Sequence, residues 1–260
     1  GLLHGAYNEG KALDLYADFP AEFIVKRDPD GNWCRWTGSA YASLITGLNG
    51  GVSCMAEGPD GKIYVGGAFD SAGGVDRTEC LARWNPITEL WETVLNVADG
   101  SITNISVMAF DPNGDLYIGG EFQNLGSTNG DYIVKVSNLE GIPTISALGT
   151  GLQVGASLPY VRAMAFDANG NLYVGGDFTT AGGVSNTLNI AKWNGTAWSA
   201  LATGLNSYVN TLAFAPNGNL YIGGYFTDAS YPYICKWNGA AFSAVGAVGD
   251  IANGVTYTAV

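Results

Sequence analysis

Catalytic side chains are scarce in this chain, and histidine is the scarcest of them. The 260 residues include one histidine, His4, which lies close to the start of the sequence. A Ser-His-Asp or Cys-His mechanism needs an imidazole to activate its nucleophile, so a chain with one histidine offers almost no residues for such chemistry. Two facing carboxylates could support glycoside hydrolysis, although no such pair stands out. The sequence therefore predicts no catalytic residue and a protein that is not an enzyme.

Metal sites are not predicted either. The segments Asp111–Asp115 and Asp167–Asn171 are superficially similar to calcium-binding loops. They lack the downstream glutamate of such a loop, and each contains the Asn-Gly pair of a tight hairpin. One histidine cannot build the usual mixed zinc site with cysteines. We expect no metal and no cofactor.

Four cysteines are too few for a disulfide framework in a chain of this length. They are Cys34, Cys54, Cys80 and Cys235. Cys34 and Cys235 each lie two residues before a tryptophan, where another copy of the same segment has Ala191. Small buried side chains within strands fit this position. We expect free, unreactive thiols.

A repeated segment of seven residues dominates the chain. Leu172–Phe178 reads Leu-Tyr-Val-Gly-Gly-Asp-Phe, and a worn copy occupies Leu15–Phe19. The other close copies are Ile63–Phe69, Leu116–Phe122 and Leu220–Phe226. Their tyrosines recur about every 50 residues, a period typical of solenoids, propellers and arrays.

Each repeat divides into four short apolar segments, which predicts four β-strands. In the fourth copy these are Val161–Phe166, Leu172–Phe178, Ile190–Trp193 and Trp198–Leu201. Asn-Gly or Asp-Gly joins the first two segments, and these dipeptides favour tight hairpin turns. Four antiparallel strands in an up-and-down order compose the blade of a propeller.

Two further repeated features predict how the strands pack. Glycine pairs such as Gly175-Gly176 leave gaps in the second strand, and we expect recurring rings of the third and fourth strands to fill them. A base precedes the first ring position in every repeat, and an acid precedes the closing phenylalanine in three. We expect these groups to pair, for example Lys135 with Glu121.

The segments Asn171–Gly183 and Asn189–Leu201 resemble the repeats of bacterial secreted and surface β-propeller proteins. They are also similar to Kelch-like propellers and to fungal cortical polarity-marker proteins. The resemblance covers nearly the whole chain and implies the architecture but no activity. Five copies predict an all-β, five-bladed β-propeller with four antiparallel strands per blade. Blade count and length give a looser resemblance to tachylectin-like lectins, which implies repeated amino-sugar sites.

A single propeller domain is expected over residues 1–260. The predicted blades cover 9–47 together with 255–260, 52–95, 105–149, 161–203 and 209–246. The segment Val255–Val260 matches the first strand of a repeat, so strands from both chain ends are expected to share the first blade. Leu2–Tyr7 could fill the same place, in which case the C-terminal segment begins another repeat. The first blade departs most from the pattern because Ala17-Asp18 replaces the glycine pair.

Charge and composition narrow the range of partners. The net charge of -12 repels phosphate backbones and anionic membrane surfaces, so we expect no nucleic acid partner. No apolar run approaches the roughly 20 residues that span a bilayer, so we expect no direct membrane insertion. Few charges with abundant Gly, Asn, Ser and Thr suit an extracellular or cell-surface protein.

Ligand-binding residues are predicted on the face that carries the longer loops, because the tight turns gather on the other face. These loops cover 70–79, 123–131, 179–189 and 227–233. Tyr231-Pro232-Tyr233 could form a rigid aromatic platform for a sugar ring or a protein partner. The candidate ligand-binding residues are Asp70, Asp76, Arg77, Asp177, Asn186, Asp228, Tyr231 and Tyr233.

These features favour an extracellular or surface-associated β-propeller that serves as a structural and protein-interaction module. Its partner would be a protein or a larger assembly, with a glycan as a further option. A carbohydrate-binding lectin is the principal alternative and would need similar pockets between blades. A glycoside hydrolase is the third hypothesis and would need two ionisable groups with separated pKa values at one pocket.

Overall fold

The computed structural model describes residues 47–95, 102–153, 160–228 and 230–245, together with the backbone of four short strands before residue 47. Every regular element in these ranges is a β-strand, which confirms the all-β prediction. None of the described residues belongs to a helix long and apolar enough to cross a membrane. Two predicted strands, Leu15–Phe19 and Val255–Val260, lie outside the described residues.

The described strands form five main sheets, numbered here along the chain. Sheet 1 contains β2 (Val25–Arg27), β3 (Trp33–Trp36) and β4 (Tyr41–Ser43). Sheet 2 contains β1 (Leu3–His4), β5 (Gly51–Glu57), β6 (Ile63–Ala68), β7 (Leu81–Asn85) and β8 (Leu90–Thr93). Sheet 3 contains β9 (Ile102–Phe110), β10 (Leu116–Phe122), β11 (Ile133–Ser137) and β12 (Thr144–Ala147). Sheet 4 contains β14 (Tyr160–Phe166), β15 (Leu172–Asp177), β17 (Ile190–Trp193) and β18 (Trp198–Ala200). Sheet 5 contains β19 (Val209–Phe214), β20 (Leu220–Gly224), β21 (Ile234–Trp237) and β22 (Phe242–Ala244), and a small separate pair consists of β13 (Leu152–Gln153) and β16 (Thr180–Ala181).

Sheets 3, 4 and 5 are four-stranded antiparallel meanders, as the repeats predicted. Their first two strands are joined by tight turns that the local sequence determines. In sheet 3, Asp111 Oδ1 accepts hydrogen bonds from the backbone N–H groups of Asn113 and Asp115 at 2.9 and 3.0 Å. Gly114 completes the turn with φ of 86°, a conformation that glycine adopts without steric cost.

Neighbouring sheets pack through their first strands. β5 lies against β9, β9 against β14, and β14 against β19. In sheets 2, 3 and 4 the first glycine of the repeated pair faces the following sheet, so that a Cβ atom at Gly175 would meet Val209 and Leu212 of β19. Antiparallel meanders that pack side by side through their innermost strands are the blades of a β-propeller.

The prediction that rings of the third and fourth strands fill the glycine gaps is wrong. Trp193 and Trp198 pack on each other instead, with ring centres 5.3 Å apart. The Trp198 ring lies over the loop glycine Gly182, and its Nε1 donates a hydrogen bond of 2.7 Å to the Leu148 carbonyl. The glycine gap faces the next sheet, and apolar side chains of that sheet lie in it.

Links between sheets fasten the long loops. Leu48 and Leu152 are buried in links that precede sheets 2 and 4, and each pairs with an alanine of the loop that follows, Ala72 or Ala181. Asn49 Oδ1 also accepts hydrogen bonds from two backbone N–H groups of the sheet 2 loop, at 2.8 and 2.9 Å. Links and long loops therefore share one face, termed the loop face. The face that carries the turns 58–62, 111–115, 167–171 and 215–219 is termed the turn face.

The N-terminal strand is not part of sheet 1. In β1, Leu3 pairs with Met55 and His4 with Cys54, which places this strand at the edge of sheet 2 and gives that sheet five strands. The alternative that put residues 2–7 in the first blade is therefore not what is observed. Sheet 1 has three described strands in place of the expected four. Closure by residues 255–260 lies outside the described part of the chain, so the count of five blades stays a prediction.

Candidate ligand-binding face

Bases of the third strands pair with acids of the turn face. Lys135 Nζ lies 2.6 Å from a carboxylate oxygen of Asp115, and Lys192 Nζ lies 3.9 Å from Asp167. The sequence correctly indicated that the bases form ion pairs but named the wrong acids, Glu121 and its counterpart in sheet 4. Those acids lie near the end of the second strand, at the loop face. The bases lie at the opposite end of the blade, where Lys135 is paired with Tyr117.

A larger network joins sheets 2 and 3 at the turn face. The Arg83 guanidinium donates from Nε to Glu92 at 2.9 Å and from Nη1 to Glu140 at 2.8 Å. Glu140 belongs to the turn between β11 and β12, so the contact crosses from one blade to the next. Burial raises the pKa of Glu92, but hydrogen bonds from Asn85 and Lys62 outweigh it and hold that pKa below its ordinary value. The described charges of this face are largely satisfied within the molecule.

Asp70, Asp76 and Arg77 lie exposed on the loop face, in the loop between β6 and β7. Buried Thr78 fixes the shape of this loop, because its Oγ1 accepts a hydrogen bond of 2.8 Å from the backbone N–H of Ala72. Arg77 has φ of 61°, a left-handed conformation that few residues other than glycine adopt. The loop is a defined structure that presents these three side chains to solvent.

The loop of sheet 4 repeats this geometry with other side chains. Asn186 stands where the sheet 2 loop has Arg77, is equally exposed and has φ of 64°. Thr187 is its buried anchor, in the place of the threonine described above. Asp177 lies apart from this loop, at the exposed end of β15, and is directly opposite Tyr160 of β14.

Asp228, Tyr231 and Tyr233 lie in the loop of sheet 5. The half-buried Tyr231 ring packs on Phe242 with centres 5.8 Å apart. Burial raises the pKa of the Tyr231 hydroxyl, and the nearby Asp228 carboxylate, to which it is hydrogen-bonded, adds to this. Tyr233 has φ of 65°, and its backbone N–H donates to the Phe226 carbonyl at 2.9 Å. Both tyrosines thus hold the loop in place.

The eight predicted residues therefore divide into three groups, on sheets 2, 4 and 5. Sheet 3 lies between the first group and the second. Five of the eight residues are exposed, while Asp228, Tyr231 and Tyr233 are half-buried. Their role in ligand binding stays a prediction.

The sequence missed a repeated position at the loop-face end of the first strands. One residue in each of β5, β9, β14 and β19 interrupts the pairing with the second strand, which is a β-bulge. The bulged residues are Ser53, Ser106, Arg162 and Asn210, and all four are half-buried. Bulges re-aim side chains and are common beside binding and active sites.

In two blades the bulged residue is a serine that bonds to the next sheet. Ser53 Oγ donates a hydrogen bond of 3.2 Å to Asn104 Oδ1. Ser106 Oγ donates one of 2.7 Å to the Val161 carbonyl. At this position a serine hydroxyl therefore forms a hydrogen bond between neighbouring blades.

Between sheets 4 and 5 the bulged residue is an arginine among tyrosines. The guanidinium carbon of Arg162 lies 5.0 Å from the ring centre of Tyr160 and 4.6 Å from that of Tyr208. The Tyr208 ring lies 4.8 Å from the ring of Tyr225, which is 39% exposed. These four residues and Asp177 are termed the arginine seam. Arg162 Nε is enclosed without a hydrogen-bond partner, and no ion pair with a described residue neutralises the guanidinium.

One signal in the sequence could have identified Arg162. Five of the eleven bases precede the ring position of a repeat, whereas Arg162 stands in a first strand where other repeats have Ser53, Ser106 or Asn210. The contacts of Arg162 were not visible, because the bulge and the following blade create them.

Metal-binding and reactive groups are sparse. Within the described ranges no group of three His, Cys, Asp or Glu side chains could hold a metal ion. Cys54, Cys80 and Cys235 are free and buried, which confirms the prediction for these three, while the Cys34 side chain lies outside the described residues. Burial raises the pKa of the Cys235 thiol to about 12.

Comparison with protein families supports the fold. The model of a β-propeller domain of unknown function, DUF5122, matches residues 58–79, which span the first hairpin turn of sheet 2, β6 and the loop that follows. The match supports a β-propeller family, whereas the Kelch-like character of the repeats stays a prediction. No curated protein matches the sequence significantly.

Several solved structures are similar in fold at low sequence identity. PorZ, a surface component of the type-IX secretion system of Porphyromonas gingivalis, is 14% identical with a TM-score of 0.47 over 78% of this chain and 29% of that protein. Virginiamycin B lyase from Staphylococcus aureus is 12% identical with a TM-score of 0.48 over 88% and 64%. A gluconolactonase from Xanthomonas campestris is 11% identical with a TM-score of 0.46 over 79% and 65%. The chain thus spans less than two thirds of each of these proteins.

The prediction that this protein is not an enzyme is wrong in the light of these relatives. They include a lyase and a gluconolactonase, so a propeller of this kind is not excluded from catalysis. The scarcity of histidine was too narrow a basis, because carboxylates and tyrosines can also transfer protons. At such low identity the likeness shows the fold alone, and no reaction is assigned to this chain.

Proposed function

We propose that the protein is an extracellular or surface-associated, five-bladed β-propeller that serves as a structural and protein-interaction module. Its loop face would bind a protein partner within a larger assembly. The proposal leaves open whether the propeller also carries an activity.

The different chemistry of the two faces supports this proposal. On the turn face, Lys62, Arg83, Lys135 and Lys192 form ion pairs with acids of the same or the neighbouring blade. On the loop face, carboxylates such as Asp70, Asp76 and Asp177 are exposed on anchored segments. Exposed acids on a rigid frame favour a partner with basic groups, since such a partner is attracted at long range and loses little conformational entropy on binding.

The variation between blades favours a single extended partner over a lectin with equivalent sites. The bulged positions hold serine, arginine and asparagine in different blades, and the equivalent loop positions hold Arg77 and Asn186. A lectin with repeated pockets would need the same chemistry at each position. One large partner can instead contact different side chains on successive blades.

Hydrogen exchange on the assembly purified from its natural source tests the proposal. Compared with the isolated protein, we expect slower exchange in loop-face segments 70–79 and 179–189 and unchanged exchange in turn segments 111–115 and 167–171. A cross-linked protein should be recovered at the same segments. Protection confined to the turn face, or no protein partner at all, would contradict the proposal.

Matched variants sharpen this test. The double variant D70N/D177N removes two loop-face charges, and E57Q/E89Q removes two exposed charges from the turn face. We expect the first pair to lower the yield of the co-purified partner several-fold and the second to leave it unchanged. Equal losses in both variants would indicate an effect of total charge alone.

A further inference from the structure

Arg162 is not required by the architecture of the blade. The same bulge in β5 and β9 carries Ser53 and Ser106, and each hydroxyl makes one hydrogen bond to the next sheet, at 3.2 and 2.7 Å. Sheets 4 and 5 make an equivalent junction through β14 and β19. An arginine there adds a charge, a planar group and five N–H donors that the junction does not use.

Among the residues that the structure describes, Arg162 has no counterion. Its Nε is enclosed and makes no hydrogen bond, a state that destabilises a buried donor. The Arg162 side chain nevertheless packs against the rings of Tyr160 and Tyr208. The two ring contacts hold the guanidinium group in place, and because Nε is enclosed, the N–H groups of the two terminal nitrogens are the donors left for an anion.

We propose that the arginine seam binds a sugar that carries a carboxylate, with the carboxylate on Arg162. The outward face of Tyr225, 39% exposed at the end of the row of rings, offers an apolar platform for a pyranose ring. Asp177, exposed and opposite Tyr160, can accept hydrogen bonds from sugar hydroxyl groups. A cation, a ring platform and a hydroxyl acceptor together match the three parts of a uronic acid.

A singly charged carboxylate fits this site better than a phosphate. The protein carries a net charge of -12, and Asp177 stands within the seam itself. Both repel a dianion more strongly than a monoanion. Affinity must therefore come from short-range bonds to Arg162, where the planar fork matches a carboxylate.

This site does not depend on a protein partner at the loop face. It involves one seam between sheets 4 and 5, whereas the proposed partner would contact loops on several blades. The two proposals can therefore fail separately. Monosaccharide binding is measured on the isolated propeller, and its result does not depend on whether a protein partner is found in the assembly.

Ligand titration followed by NMR tests the inference on the isolated propeller. The probes are glucuronate and galacturonate, with glucose and galactose as neutral matches and inorganic phosphate as the competing anion. We expect binding of at least one uronate, no measurable binding of its neutral match, and weaker binding of phosphate. In R162S, which installs the residue of the other seams, the uronate affinity should fall about ten- to a hundred-fold.

Two further variants separate the seam from general charge. R162K keeps the charge but loses the planar fork, and we expect most of the affinity to be lost. K236S removes a positive charge from β21 of sheet 5, where Lys236 is paired with Tyr221 of β20, and we expect the affinity to stay within about two-fold. Any of three results would overturn the inference. They are uronate binding that survives R162S, tighter binding of phosphate than of the uronates, and no uronate binding to the folded wild type.

Discussion

At the scale of single residues, the bulged position of the first strand holds different side chains in different blades, and they do not all have the same structural role. Ser53 and Ser106 meet the structural need with a hydroxyl group and one bond to the next blade. Arg162 occupies the same bulge, has no hydrogen-bond partner for its Nε and contacts two rings. Since the backbone is equivalent, the difference lies in the side chain alone, and a departure from a local rule in one repeat is where binding chemistry is expected.

The buried cysteines give a prediction at this scale. Burial raises the pKa of Cys235 to about 12, and it raises the pKa of Cys54 beyond the normal range of a thiol. The thiolate is the reactive form, so alkylation of Cys235 at pH 8 should be roughly a thousand-fold slower than that of a free cysteine. Iodoacetamide labelling followed by peptide mass spectrometry measures this rate.

The same labelling in urea provides the control. Once the chain unfolds, Cys54, Cys80 and Cys235 should all react at the rate of a free thiol. Rapid labelling of Cys235 in the folded protein would mean that this thiol is accessible and that the burial described above does not hold in solution.

At the scale of strands and turns, the sequence predicted what is decided within a few residues. Asp111 and Gly114 close their hairpin through bonds to immediate neighbours, so the meander was predictable from turn chemistry. The filling of the Gly175 gap was not, because Val209 and Leu212 come from the next repeat. For the same reason, the sequence predicted a partner for Lys135 at the wrong end of the blade. Spacing along the sequence gives the order of residues in one strand but does not show which side chains meet across strands.

The candidate site was predictable only in part. Exposed loop residues such as Asp70 and Asn186 were recognised because loops between strands are polar and lie at the surface. The arginine seam was not recognised, because it combines a bulge in β14 with Tyr208, directly before β19, and Tyr225, directly after β20. No pattern within one repeat contains that combination.

The second glycine of each pair gives a prediction for the strands. A Cβ atom at Gly176 would meet the backbone carbonyl of Tyr160 across the bulge, and a backbone atom cannot move aside as a side chain can. We therefore expect G176A to lower the free energy of unfolding by at least about 2 kcal/mol, at the upper end of overpacking effects. Urea denaturation measures the change.

A matched glycine provides the control for this substitution. A Cβ atom at Gly51 has no neighbouring atom within 4 Å, so G51A adds the same methyl group without a clash. We expect its unfolding free energy to change by less than about 1 kcal/mol, in the stabilising direction. Similar losses in both variants would show that glycine flexibility, and not the close approach at the bulge, determines the effect.

At the scale of the whole molecule, charge is distributed unevenly between the two faces. Ion pairs on the turn face connect neighbouring blades, most clearly where Arg83 of sheet 2 reaches Glu140 of sheet 3. The loop face has exposed acids, and it also has Arg162, which forms no ion pair within the described part of the chain. The described ion pairs between blades therefore lie at the turn face, and a change of pH should affect stability first through that face.

Glu92 determines the direction of that pH effect. Its pKa in the folded protein lies below its ordinary value of 4.5, so the unfolded chain binds more protons between the two values. The stabilisation from Glu92 is therefore fully present above about pH 5 and is lost as the pH falls through the folded pKa. Lys62 has the opposite shift, because hydrogen bonds to Glu92 and Glu140 outweigh burial and raise its pKa, so its contribution is lost only in strong alkali.

The variant E92Q tests whether this network stabilises the propeller. At neutral pH we expect it to lower the free energy of unfolding by on the order of 1 kcal/mol, because a half-exposed hydrogen-bonded charge is replaced by a neutral amide. The difference from the wild type should shrink as the pH falls below 4.5 and through the lowered pKa of Glu92. E57Q, at the exposed end of β5, should match the wild type at neutral pH within about 0.5 kcal/mol. Urea unfolding at several pH values measures these differences, and a gap between E92Q and wild type that stays constant down to pH 3 would rule out the charge of Glu92 as its source.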